Sequence, residues 1–180
     1  TFDGELPEAY AGQAVTLTLT DEIDISRGDV IVPAQHHASV SNRILAKVVW
    51  MHEDPLTSGK QYNIKLGTKK VPGTVTAIAH SIDVNTLEEH AATELNLNSI
   101  ALVELELTEA VVFDPYSKNR DTGGFIFIDR ISNITVGAGM VDSALASSSS
   151  RAEFSAFELE FNALVRKHFP HWQAVDISKL

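Results

Sequence analysis

Asp114–Met140, DPYSKNRDTGGFIFIDRISNITVGAGM, decides how this chain folds. Asp114-Pro115 and Asn119-Arg120-Asp121 are turn formers. Gly123-Gly124 frees the backbone just before the apolar run Phe125-Ile126-Phe127-Ile128. Asp129–Asn133 then reverses the chain, and Val136-Gly137-Ala138-Gly139-Met140 places glycines at alternate positions. Glycines spaced by two along a strand let another chain segment approach closely or let a barrel turn its corner. The stretch therefore reads as loop, strand, turn and strand, although Ile126 and Ile128 leave open which face of the first strand is buried.

The same period of two runs through the preceding residues. Val15, Leu17 and Leu19 alternate with threonines, and Val30-Ile31-Val32 follows the Arg27-Gly28-Asp29 turn and stops at Pro33. Gln35–Ser41 is a polar connector and the expected domain boundary. Beyond it Ile44, Ala46, Val48 and Trp50 share one strand face, and Tyr62, Ile64 and Leu66 share the next. Val71-Pro72-Gly73 is expected to break the chain before the strand Val75–Ile82. Thr86 with Glu89 spells a capping box and suggests a short helix within Asn85–Leu95. In Ser99–Leu107 the residues Ala101, Val103, Leu105 and Leu107 face opposite to Glu104 and Glu106.

Many short strands at about 8–12-residue spacing indicate an all-β fold, an antiparallel barrel or sandwich. A closed barrel over about Val40–Val141 should bury Ile44, Val48, Leu66, Val103, Leu105, Phe125, Phe127 and Val136. After Ala144–Ser150, expected to be a flexible linker, the period changes to a helical one. Phe154, Phe157, Phe161, Leu164 and Val165 recur with glutamates early and basic residues late, which predicts an amphipathic helix ended by Pro170. A helix of this length needs a docking surface to stay ordered, so Phe154, Phe157, Phe161 and Leu164 are candidate partner contacts.

Composition narrows function. The 180 residues carry no cysteine and a net charge of −10. Disulfides and thiolate chemistry are thereby excluded, and a cytoplasmic location is expected. The lysines and arginines are scattered, so a phosphate backbone would be repelled and no nucleic-acid partner is expected. No apolar run reaches the roughly 20 residues needed to span a bilayer, and the glutamates of the last helix disfavour anionic lipid, so no membrane partner is expected. Thr1 in place of Met, followed by a half-formed strand pattern, predicts a fragment or a processed product.

The chemistry-bearing motifs are weak. His36-His37 and His168-Phe-Pro-His171 lack further ligands for zinc, and neither a GxSxG nucleophile elbow nor a convergent catalytic set occurs. Gly59-Lys60 is followed by Gln61 and has no glycine five residues earlier, so it is not a P-loop. No Asn-Lys-x-Asp guanine motif occurs either. Thr122-Gly123-Gly124 has the composition of a phosphate nest, but a turn before a strand explains it better. Glu88-Glu89 and Glu104/Glu106 read as solvated faces. No catalytic, cofactor or metal residue is expected. Lys69-Lys70 is an exposed basic pair that suits either a solvated turn or an acidic partner surface.

In order along the chain, GQAVTLTLTDEIDISRGDVIV, GKQYNIKLGTKKVPGTV, DVNTLEEHAATELNLNSIALVELEL, DPYSKNRDTGGFIFIDR, TVGAGMV and FELEFNALVRKHFPHW resemble the C-terminal domains of translation-factor-type GTPases. They look most like the large, GTPase subunits of bacterial sulfate adenylyltransferases. The resemblance covers essentially the whole chain. It implies that residues 1–35 end a second β-barrel domain and that 40–143 form an elongation-factor-type third-domain barrel. A linker at 144–150 and a helical extension over 151–180 would follow. It places strand and loop, rather than helix, around Asn85–Leu95. It further implies a missing G domain holding GTP and Mg²⁺, and a small catalytic subunit as partner. That subunit makes adenosine 5′-phosphosulfate from ATP and sulfate, driven by GTP hydrolysis. The chain itself would then serve assembly and interdomain coupling. The alternative is the β-barrel region of a tRNA- or ribosome-directed translation GTPase, against which the acidic balance counts.

Overall fold

The structure, a computed structural model, describes residues 4–146 and 156–169. Its centre is an antiparallel sheet built from β1 (Ser39–Trp50), β3 (Gln61–Leu66), β4 (Lys69–Ile82), β7 (Ile100–Phe113), β8 (Gly124–Ile128) and β9 (Thr135–Ala144). The order is β3-β8-β9-β1-β7-β4, and β3 also pairs with β4, which closes the six strands into a barrel. The hairpin strand β5 (Glu89–His90) extends the end of β4. A two-stranded ribbon of β2 (Leu56–Thr57) and β6 (Glu94–Leu95) lies beyond Trp50 and contributes Leu56 and Leu95 to the core. The helix α1 (Arg120–Gly123) precedes β8, and α2 (Ala156–His168) lies toward the C-terminus.

All eight expected core residues are buried. The open question about β8 resolves through a register shift. Phe125 and Phe127 enter the core, Ile126 points out, and an irregularity between Phe127 and Ile128 turns Ile128 inward too. Trp50, Tyr62 and Phe127 meet edge to face, with ring centroids 5.5–5.9 Å apart, the geometry that aromatic quadrupoles favour. The alternate glycines explain how these rings fit. A Cβ on Gly139 would overlap the Phe125 ring, and one on Gly137 would come within 2.9 Å of Trp50.

Four expectations need correction. Val71-Pro72-Gly73 does not break the chain: β4 runs through it. β4 pairs with β3 up to Thr74 and with β7 from Gly73 onward, so Pro-Gly marks the strand's transfer from one neighbour to the other. At Gly73 a Cβ would meet Leu107 and Ile64 at 2.6 and 2.7 Å, so the corner admits no side chain. Thr86 does not cap a helix. The Asp83 carboxylate accepts from the N–H groups of Asn85 and Thr86, so an Asx turn joins β4 to β5. The expected linker starts late: Ala144 belongs to β9, the Leu145 N–H donates to the Arg43 carbonyl, and the Arg43 guanidinium donates to the Ala146 carbonyl. Finally, Val15–Thr20 forms no strand. Leu17, Leu19, Ile23 and Ile31 stay exposed, because an amphipathic strand holds its geometry only beside a partner, and the barrel offers it no free edge.

At Gly139, Gly139→Ala should destabilise the barrel by about 1–3 kcal/mol, the usual cost of overpacking, and Gly139→Val by more; urea titration of both variants measures this. Tyr62 supplies a second test. Burial, helped by the carboxylates of Asp129 and Asp54, pushes its hydroxyl from 10.0 up to about 12. The unfolded chain gives up that proton near pH 10 and the folded chain resists, so stability falls as pH rises through the window between the two values. Tyr62→Phe should flatten that fall relative to wild type in melting curves taken from pH 9 to 12.

Candidate partner interface

Lys69 and Lys70 occupy consecutive strand positions, so their side chains diverge. Lys69 is engaged within the chain: its ammonium donates to the Ala110 carbonyl at 2.9 Å and pairs with Glu109 at 3.2 Å. Its stem lies beside Gly28, where an added Cβ would come within 3.1 Å of it, and the φ of +104° is one that side chains rarely adopt. Lys69 thus clamps the Arg27-Gly28 turn onto the barrel. Lys70 is exposed and reaches the Asn133 side chain at 3.5 Å, near the β8–β9 turn. The two lysines are therefore not one basic patch.

The C-terminal helix forms over Ala156–His168, with Arg166, Lys167 and His168 in its last turn, where the helix dipole favours cations. Phe154 and the Phe157 side chain lie outside the described residues. Phe161 and Leu164 are 57% and 52% exposed, whereas Val165 is buried. Among the described positions of the helix, Val165 is thus the covered one.

Two concavities were not legible from strand periodicity. One, of about 500 Å³, lies on the barrel wall between Val49, Ile126, Ala138 and Met140, beside Tyr116 and Lys65. It arises because outward residues of β1, β8 and β9 happen to be apolar and become neighbours through the register Val49–Ala138–Ile126. The outward Ile126 between two phenylalanines was the available signal. The other, of about 260 Å³, lies where Val30–Pro33, His36 and His37 meet Val112, Phe113, Asp114 and Thr122.

None of the phosphate-like motifs has the geometry to hold a nucleotide. Gly59-Lys60 lies in the tight connection between β2 and β3, with the Lys60 ammonium 5.3 Å over the Tyr62 ring rather than at a helix start. At Thr122-Gly123-Gly124 the N–H groups of both glycines already donate to the carbonyls of Asn119 and Arg120, and the Thr122 hydroxyl donates to Asp114 at 2.7 Å. A carboxylate at that point would repel phosphate. Among the described residues no group of three His, Asp or Glu side chains is placed to hold a metal ion. These residues do not fit GTP or Mg²⁺.

Across its full length the chain is 64% identical to sulfate adenylyltransferase subunit 1 of Tolumonas auensis, and 59% and 56% identical to the same subunit of Photobacterium profundum and Vibrio cholerae. It spans 38% of the length of each of these curated relatives, their C-terminal part. Among solved structures, sup35 complexed with GDP superposes with a TM-score of 0.57 at 17% identity, over 63% of this chain and 28% of that one. At that identity the likeness concerns the fold alone. Residues 43–142, the closed barrel itself, match the GTP-eEF1A C-terminal domain-like family, and the chain belongs to that family.

Proposed function

We propose that this chain is the C-terminal, non-catalytic region of the GTPase subunit of a sulfate adenylyltransferase, serving assembly and interdomain coupling. The observation that carries the reading is the full-length match, at 64% identity, to the C-terminal 38% of a sulfate adenylyltransferase subunit 1. A subunit numbered 1 belongs to a heteromeric enzyme, and the chemistry of such an enzyme needs groups that these residues do not supply. In this reading GTP and Mg²⁺ are held by a G domain elsewhere in the protein. Adenosine 5′-phosphosulfate is made from ATP and sulfate by a small catalytic subunit, in the cytoplasm.

The organisation follows from the same reading. Residues 1–35 complete a second β-barrel domain, which supplies the strand partners that Leu17, Leu19, Ile23 and Ile31 lack here. Residues 40–143 are the third-domain barrel, and the helix beyond is an extension that docks on protein. Lys70, Phe161 and Leu164 are the candidate contacts that remain exposed. A tRNA- or ribosome-directed role is disfavoured by the net charge of −10 and by the separation of Lys69 from Lys70.

The purified chain should show no GTP hydrolysis and no sulfate-dependent ATP–pyrophosphate exchange, yet should bind the small catalytic subunit in a titration. Turnover by the chain that point mutations abolish, or absence of binding, would overturn the reading. For the helix, Phe157→Ala combined with Phe161→Ala should weaken that binding several-fold while leaving the barrel's melting temperature within about 2 °C, since both positions belong to the helix and not to the barrel strands. Equal affinity of the double variant and the wild type would remove the helix from the interface.

A further inference from the structure

Among residues 4–37, Gly28 is the one position that is not exposed. The stretch ahead of the barrel thus has a single covered residue. Val30, Ile31 and Val32 run on beside Val112–Asp114, but they stay 41–65% exposed and leave a cavity of about 260 Å³ at the junction. A contact that leaves such a space fixes little, because dispersion attraction falls off steeply across even a small gap.

The covered point is built from three pieces. Ser26–Asp29 is a closed turn: the Asp29 N–H donates to the Ser26 carbonyl at 3.1 Å, and the Ser26 N–H donates to the Asp29 carboxylate at 2.8 Å. Its third residue, Gly28, has a φ of +104°, a conformation that glycine takes without cost. The second piece is the Lys69 stem. A Cβ on Gly28 would lie 3.1 Å from each of Cβ, Cγ and Cδ of Lys69, so the glycine sits flat along the methylene chain. The third piece holds that chain in place: the ammonium donates to the Ala110 carbonyl and pairs with Glu109. This end of β7 is open to the lysine because of a register shift. The β1–β7 ladder breaks between Ser41 and Arg43, the β4–β7 ladder begins only at Leu107, and residues 108–110 pair with neither strand.

We infer that the Lys69 stem is the seat that sets the direction in which the preceding polypeptide leaves the barrel. Gly28 is the seated group, and Glu109 with the Ala110 carbonyl locks the seat. Lysine suits the task because its long unbranched stem covers apolar surface while its charge is satisfied at the far end. Lys70 cannot substitute for it: the next strand position projects to the other side, and its ammonium reaches Asn133 instead. Without the stem, the Ser26–Asp29 turn loses its one covered contact and the segment is free to swing. The joint is read from contacts within this chain and does not rest on the proposed function. Under that function the body it orients is the second β-barrel domain.

The test uses the whole chain and an arginine-specific protease, whose cut between Arg27 and Gly28 requires the turn to leave its seat. Lys69→Ala should raise the rate of that cut at least about fivefold, since cleavage follows the population of the open form. Lys69→Met, which keeps an unbranched stem without the ammonium, should raise it by less than roughly half as much, and Lys70→Ala not at all. Hydrogen exchange in Lys69→Ala should quicken over residues 26–33 and keep its wild-type rate in β4 and β7. Cleavage of Lys69→Ala at the wild-type rate, or of Lys69→Met as fast as Lys69→Ala, would overturn the stem as the seat. Faster exchange throughout β4 and β7 would show that Lys69 supports the barrel rather than the turn, and would overturn it too. Every readout comes from the chain alone, without the small catalytic subunit, so this inference and the assembly reading stand or fall separately.

Discussion

The packing of aromatic rings onto bare backbone in β9 is the contact on which the barrel depends. Phe125 and Trp50 fill the interior only because Gly139 and Gly137 leave the space in which their rings lie. Those rings, with Tyr62 and Phe127, set how far apart the strands can stand, and so how tightly six strands can close. A small barrel has no slack for misfit, since a close-packed interior registers a change of even one methylene. Gly73 plays the matching part at the corner, where β4 leaves β3 for β7 and the sheet becomes a closed surface.

Closure has a consequence for function. A closed barrel keeps no edge strand on which a partner could add another, so recognition has to use loops, walls or attached segments. Residues 27–38 meet the barrel where Lys69 clamps the Arg-Gly turn. Leu56 and Leu95 of the short ribbon lid the core. Two aspartates do similar work in the loops. Asp83 and Asp129 each accept backbone N–H groups from their own turn, which holds both carboxyls below the usual carboxylate range. Neither carboxylate is free for chemistry; both are structural anions that stiffen a turn.

Enzymatic motifs in the sequence dissolve on inspection for local reasons. Gly-Lys becomes the tight connection between β2 and β3, with the Gly59 N–H donating to the Val75 carbonyl and the lysine cation over a ring, and Thr-Gly-Gly becomes a one-turn helix whose N–H groups are spent on carbonyls. In both cases the backbone donors that would cradle a phosphate already have protein partners, so composition alone was a poor guide to an anion site.

Period-two alternation by itself determined which residues of β1, β3 and β7 face the core, because side chains alternate strictly along a strand and a barrel has one dry side. It also identified the glycine-rich last strand and the C-terminal helix, whose spacing differs from everything before it. It could not show that Pro72-Gly73 lies inside a strand, because the need for a corner arises only when β4 has two different neighbours. Nor could it tell that Val15–Thr20 would stay unpaired, since a strand pattern says nothing about whether a partner edge exists. The seat on the Lys69 stem was equally invisible. Gly28, Lys69 and Glu109 lie far apart in the chain, and only the antiparallel run of β4 against β7, with the register shift that leaves residues 108–110 outside both ladders, makes them neighbours.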